Sequence, residues 1–152
     1  MAAVNWIDKI TDLWGTVDDG RGGFVRSYAV FRKNEFPETL TVYPCAITYI
    51  TRLPVVQYSA GGPNIIIWRG VSEFHLVPNV LKSNMAYVIG FYDRIIEAAA
   101  SSITFGGTVS HFLLGPEEPI QPGVLQYGDE SPHYGLIVNW EVKELVTLTV
   151  SA

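Results

Sequence analysis

Apolar residues recur along this chain in two periods, and each period predicts elements of its own kind. Near the N-terminus Val4, Ile7, Ile10 or Thr11, and Trp14 fall at helical spacing, with Asp8 and Asp12 between them and Gly15 following as a stop, which predicts a short amphipathic helix over 3–14. A second stripe of Leu81, Met85, Val88, Tyr92, Ile95 and Ala99 predicts a long helix over 79–101. Gly90 lies inside that helix at a cost of up to ~1 kcal/mol against alanine, which argues for close approach to a neighbouring element.

Extended segments fill much of the remainder. FVRSYAVF (24–31) reads as a strand, and FPETLTVYPCAITYI (36–50) as an extended stretch that Pro37 and Pro44 assign to the neighbourhood of a sheet edge. IIIWRGVSEFHLVP (65–78) reads as a long strand with Gly70 as a bulge, and 105–114 as another. In LIVNWEVKELVTL (136–148), Leu136, Val138, Trp140 and Val142 alternate with Asn139, Glu141 and Lys143, the pattern of a half-buried strand. The glycine-rich GTVDDGRGG (15–23) reads as a mobile loop, and 115–132, rich in Pro, Gly and acids, as a second loop. With no βαβ repeat, the order predicts one α+β domain over 1–152: an antiparallel sheet, the long helix packed on one face, and a short N-terminal helix. The helix stripe is expected to meet the sheet face of Leu136, Val138, Trp140 and Val142.

Composition adds a constraint that periodicity does not carry. Of 152 residues, 48% are hydrophobic and 16% charged, against roughly 25% charged in an ordinary soluble domain. A surface so poor in charge is expected to be covered by subunit contacts. The net charge of −5 opposes tight binding to nucleic-acid phosphates. Cys45 is the single cysteine, which excludes an internal disulfide and a four-thiolate zinc site and predicts a small core residue. No apolar run approaches the roughly 20 residues of a membrane span, and the acids of MAAVNWIDKITD do not suit a signal peptide. No membrane partner and a cytoplasmic site of synthesis are the expectation.

Candidate chemistry is sparse. GTVDDGRGG lacks the GK[ST] ending of a phosphate loop and carries two carboxylates that would repel phosphate. Glu73 and His75 share a strand face and His111 lies on another strand, but neither an HExxH motif nor a helical histidine pair accompanies them. Structural histidines are therefore favoured over a metal site. No serine elbow is present, and Cys45 would need a histidine that only the fold could bring to it. No catalytic, cofactor-binding or metal residues are predicted. Trp6, Trp14, Trp68 and Trp140 are assigned to core or subunit packing. The acidic pairs Asp18 and Asp19, Glu117 and Glu118, and Asp129 and Glu130 lie among Gly and Pro, where exposure is the low-energy outcome.

The segments PHYGLIVNWEVKE (132–144), YVIGFYDRIIEAAA (87–100), IIIWRGVSEFHLVP (65–78) and FPETLTVYPCAITY (36–49) together resemble the tail terminator, or tail completion, proteins of long-tailed bacteriophages of siphophage type. The resemblance spans 36–144, rests on element order and texture, includes the aromatic-glycine entry Tyr134-Gly135, and does not extend to the N-terminal third. It implies a virion protein at the tail-neck junction: a ring, usually a homohexamer, that caps the head-proximal end of the tail tube. Its implied partners are further copies of itself, the tail tube protein and the head-to-tail connector, or stopper, while DNA passes through without tight binding. In such a ring the acidic pairs would face the channel or the axial surfaces. A different neck component, or a small cytosolic enzyme or ligand-binding domain using Glu73, His75 and His111, are the alternatives.

Overall fold

A computed structural model describes residues 2–29, 43–57, 64–77, 85–101, 111–115, 119–127 and 133–146. The chain is mixed α/β with strands dominant. Its elements are α1 (Ala2–Trp14), β1 (Arg26–Ala29), β2 (Cys45–Gln57), β3 (Asn64–Val77), α2 (Met85–Ile89), α3 (Phe91–Ala100), β4 (His111–Leu114), β5 (Ile120–Leu125) and β6 (His133–Val146). The strands form one sheet in the order β1-β2-β3-β6-β4, with β5 also paired to β6. Long β3 and β6, rich in β-branched and aromatic residues, pair antiparallel along most of their length and form its centre.

Two details correct the expected sheet. β1 runs parallel to β2, so the sheet is not wholly antiparallel. β2 lies beside the edge strand β1 over Cys45–Thr48, near the edge as its prolines predict, and Pro44 sits just before the strand, where its missing N–H costs no ladder bond. The peptide bond Tyr43–Pro44 is cis. Segment 115–132 is not all loop, because it contains β5, which adds to β6 through Ile120↔Val138 to Leu125↔His133 despite Pro122 and Gly123. β6 thus has two partners along one edge, β5 and β4. Between them Asn139 accepts from Gly115 N at 2.8 Å and donates to Pro119 O at 2.8 Å.

The bulge expected at Gly70 is in the neighbouring strand. Register slips between Ile50↔Gly70, Arg52↔Arg69 and Val55↔Ile67, so the extra residues belong to β2, with Pro54 among them. Gly70 answers a different need: a Cβ there would overlap the Trp140 ring and the Tyr49 carbonyl. Gly135 is required in the same way by the carbonyl of Phe74.

The core lies on one sheet face, and α1 takes a larger part in it than expected. Trp6, Ile7, Ile10, Leu13 and Trp14 are all buried, a stripe wide enough to meet the sheet along the whole helix. Trp6 makes edge-on contacts with Trp68 (5.7 Å) and Trp140 (5.6 Å), and Trp14 with Phe74 (5.3 Å) and Phe112 (6.1 Å). A polar knot fixes this packing: Trp14 Nε1 and Trp140 Nε1 both donate to Ser72 Oγ, at 2.8 and 3.1 Å, and Ser72 Oγ is 2.9 Å from Thr48 Oγ1. With both lone pairs taken by indoles, the serine proton is directed to Thr48.

The second helical segment is α2 followed by α3. At the joint, Gly90 keeps right-handed helical angles and donates to Ala86 O at 3.1 Å. Val88, Ile95 and Ala99 are buried with α1 and with the sheet face of Leu136, Val138, Trp140 and Val142 in one cluster. Tyr92 is not inward as the stripe predicted; it is 44% exposed, and Phe91 takes the core position. The expected helix start, including Leu81, and the Met85 side chain lie outside the described residues. Trp140 is therefore covered directly by α1, and α3 completes the layer beside it.

Candidate functional site

Cross-strand pairing defines the other side of the sheet residue by residue, since paired residues share a face. Val55, Ile67 and Lys143 form one rung, Arg52, Arg69, Glu141 and Leu113 the next, and Tyr49, Val71 and Asn139 a third. Among the described residues no helix lies on this open face. Val55, Leu113 and Leu145 expose 61, 41 and 57% of their surface there. Glu141 is held between two cations: Arg69 Nε at 3.1 Å and Lys143 Nζ at 3.7 Å. Beside it is a recess of about 380 Å³ lined by Thr51, Arg52, Arg69, Asn139 and Glu141, with Gly70, Gly115 and Trp140. Three cations against one carboxylate make this region locally positive in a chain of net charge −5.

One end of the face holds the candidate polar chemistry. Tyr49 donates to Glu73 Oε2 at 2.6 Å, while Glu73 Oε1 is 3.8 Å from His75 Nε2. Burial, with the hydrogen bond to Glu73, pushes the Tyr49 hydroxyl well above its ordinary range, so it remains a donor at neutral pH. His75 is 1% exposed, edge-on to Tyr127 at 6.2 Å and paired in register with Cys45, itself fully buried. Cys45 and Ile47 form a small core with Tyr28, Tyr43, Tyr49 and Tyr127. This arrangement orders a carboxylate and packs an imidazole, and its burial closes His75 and Cys45 to a substrate in bulk water. His111 is not brought to them. It is level with Lys143 and Ile67, about 25 Å along the sheet from His75 at ~3.3 Å per residue. No group of three or more His, Cys, Asp or Glu suited to a metal ion occurs among the described residues, and no helix among them is long and apolar enough to cross a membrane.

The acidic loop lies on the helical side. Sequence predicts mobility for 15–23, but the structure gives a closed turn: Val25 N donates to Val17 O at 2.9 Å, and Asp19 N to Gly23 O at 3.0 Å. Asp19 Oδ1 accepts from Arg21 N and Gly23 N at 2.7 and 3.0 Å, and these two amides lower its pKa below the usual value. Asp18 Oδ1 accepts from Gly20 N at 2.6 Å. The turn is fastened to α2 and α3, because Tyr87 Oη donates to Asp19 O at 2.7 Å and Arg94 Nη1 to Asp18 O at 3.0 Å. Arg21 also stacks 4.2 Å above the Tyr87 ring. Asp18 is exposed and Asp19 partly so, while Glu117, Glu118, Asp129 and Glu130 lie outside the described residues.

A further acidic pair escaped the sequence reading. Asp93 and Glu97 are exposed on the outer side of α3, opposite buried Phe91, Ile95 and Ala99, with exposed Ile89 beside them. Their i,i+4 spacing was a signal for it. Comparison with known proteins finds no family model that matches this chain and no curated protein that matches it.

Proposed function

We propose that this chain is a ring-forming structural subunit of tail-terminator type. It caps the head-proximal end of a phage tail tube, ends tube growth and presents a surface to the head connector. The observation that carries this reading is the open sheet face, where Val55, Leu113 and Leu145 stand exposed in a chain with only 16% charged residues. An aliphatic surface of this kind is stable in water when another subunit covers it. The antiparallel centre of the sheet with a helical layer on one side fits the same reading, as does an acidic turn fastened rigidly to that layer, since carboxylates at a channel edge deny DNA phosphates a binding site. In this reading the protein assembles in the host cytoplasm with copies of itself and acts in the virion, between tail tube protein and connector.

Native mass spectrometry of the purified protein, and particle images of it free and on tail tubes, test the proposal. Rings, free or seated on tube ends, are expected, and adding the protein to growing tubes should stop their elongation. A subunit that stays monomeric both free and in the presence of tubes would refute it.

A further inference from the structure

The open sheet face and the outer side of α3 lie on opposite sides of the subunit, because α3 packs on the covered face of the sheet. They also carry opposite charge. The sheet face has Arg52, Arg69 and Lys143 around one carboxylate, Glu141, that is already engaged by two of them. The outer side of α3 has Asp93 and Glu97, with Arg94 between them in sequence donating to the Asp18 carbonyl, and no ion pair joins either carboxylate to a described residue. Glu97 lies in the last turn of α3, which contains no basic residue. A carboxylate there opposes the helix dipole at a cost of about 0.3–1 kcal/mol, which a cation brought to it would relieve.

We propose that a second copy of this chain seats the Asp93 and Glu97 ridge of its α3 on the open sheet face, at the recess beside Arg52 and Arg69. The inference rests on the ring reading above and specifies its subunit contact. Charge complementarity selects this pairing over the two symmetric ones, since sheet face on sheet face would bring Arg52 toward Arg52, and helix on helix would bring two acidic ridges together. Apolar area accompanies the charges on both sides, Ile89 on the helix and Val55 and Leu113 on the sheet, as an interface core requires. The recess of about 380 Å³ offers room for the incoming carboxylates. A contact between two different faces is heterologous, and such contacts repeat head to tail until rotation closes a ring.

The test uses the full chain and two exposed-site variants, Arg52→Glu and the pair Asp93→Lys with Glu97→Lys, each checked for native circular dichroism. Analytical ultracentrifugation and native mass spectrometry read assembly over a concentration series. Each variant alone should need on the order of a hundredfold more protein than the parent for half-assembly, because like charges would meet at every contact. An equal mixture of the two should assemble again, since alternation makes every contact complementary. A parent that assembles while either variant assembles equally well, or a mixture that fails to recover, overturns this contact and leaves the ring reading standing. A parent that stays monomeric at every concentration and on tail tubes overturns both.

Discussion

Replacing Ser72 with alanine removes one oxygen and should cost far more than one hydrogen bond. Its Oγ is the common acceptor for Trp14 Nε1 (2.8 Å) and Trp140 Nε1 (3.1 Å) and is 2.9 Å from Thr48 Oγ1. Ser72, Thr48 and Trp14 are fully buried, and Trp140 nearly so, so water cannot replace the lost acceptor without entering the core. Each orphaned indole N–H carries a desolvation penalty of about 1–3 kcal/mol, and the pair sets an expectation of about 2–6 kcal/mol. Thr48→Val removes only the partner of the serine proton and should cost about 1 kcal/mol.

Urea unfolding followed by tryptophan fluorescence measures both variants. Protein concentration must be held fixed, because assembly would raise apparent stability by mass action. A double-mutant cycle of Ser72→Ala with Trp14→Phe isolates the bond that ties α1 to the sheet, and a coupling of about 1 kcal/mol or more is expected for groups sharing one network. A loss below about 1 kcal/mol for Ser72→Ala, with no coupling to Trp14, would show that the indoles find other acceptors and that α1 is held by packing alone.

Three further outcomes follow from the core. Ile95→Ala, at a position with no exposure, should lower stability by about 2–5 kcal/mol, and an unchanged urea midpoint would mean that α3 is turned differently. Gly70→Ala should cost about 1–3 kcal/mol or more through overlap with Trp140 and the Tyr49 carbonyl, visible as a lower melting temperature and altered tryptophan fluorescence. Burial raises the Glu144 carboxyl above its ordinary value, and the nearby Trp6 indole offsets this only in part, with no hydrogen bond of good geometry at Trp6 Nε1 or Glu144 Oε1. The folded state therefore holds that proton more tightly than the unfolded state. Its stabilising contribution is complete below the ordinary value of 4.5 and is lost as pH rises through the folded value. The stability difference between wild type and Glu144→Gln should accordingly shift with pH in that window, and a difference independent of pH would show that Glu144 ionises freely.

The elements with the strongest period were legible in the sequence, and the competition between them was not. The apolar stripe of α1 and the alternation in β6 each identify an inward face, but neither says which helix covers which strand. The longer predicted helix appeared the natural cover for Trp140. Aromatic size decides otherwise, because Trp6 and Trp14 fill the space above Trp140, Phe74 and Phe112, and the Ser72 knot fixes α1 there. β5 was illegible because Pro122 and Gly123 carry a turn signal that pairing to β6 along one side overrides. Phe91 and Tyr92 are adjacent aromatics, and a stripe defined by spacing alone assigned the inward position to Tyr92.

The candidate contact was hidden for a related reason, since its parts are brought together by register and not by any motif. Arg52, Arg69 and Glu141 belong to three strands, and they share a rung because the extra residues of β2 fall on either side of Arg52. Without the slip between Ile50 and Arg52, strict alternation would pair Arg52 with Trp68 and place it on the covered face with Ile50. A pairing fixed at Ile50↔Gly70 and Val55↔Ile67 leaves β2 longer than β3 between those rungs, so the irregularity is a geometric necessity of the segment that contains Pro54. The slip after Arg52 takes up Pro54, and the separate slip before it, at Thr51, sets an arginine beside Arg69 on the open face. Deleting Thr51, the extra residue between Ile50 and Arg52, brings Arg52 directly after Ile50 and keeps it opposite Arg69 on the open face, so assembly should survive this deletion although Arg52→Glu weakens it, and a folded deletion variant that fails to assemble would show that the contact depends on the irregularity of β2 and not on the charge of Arg52.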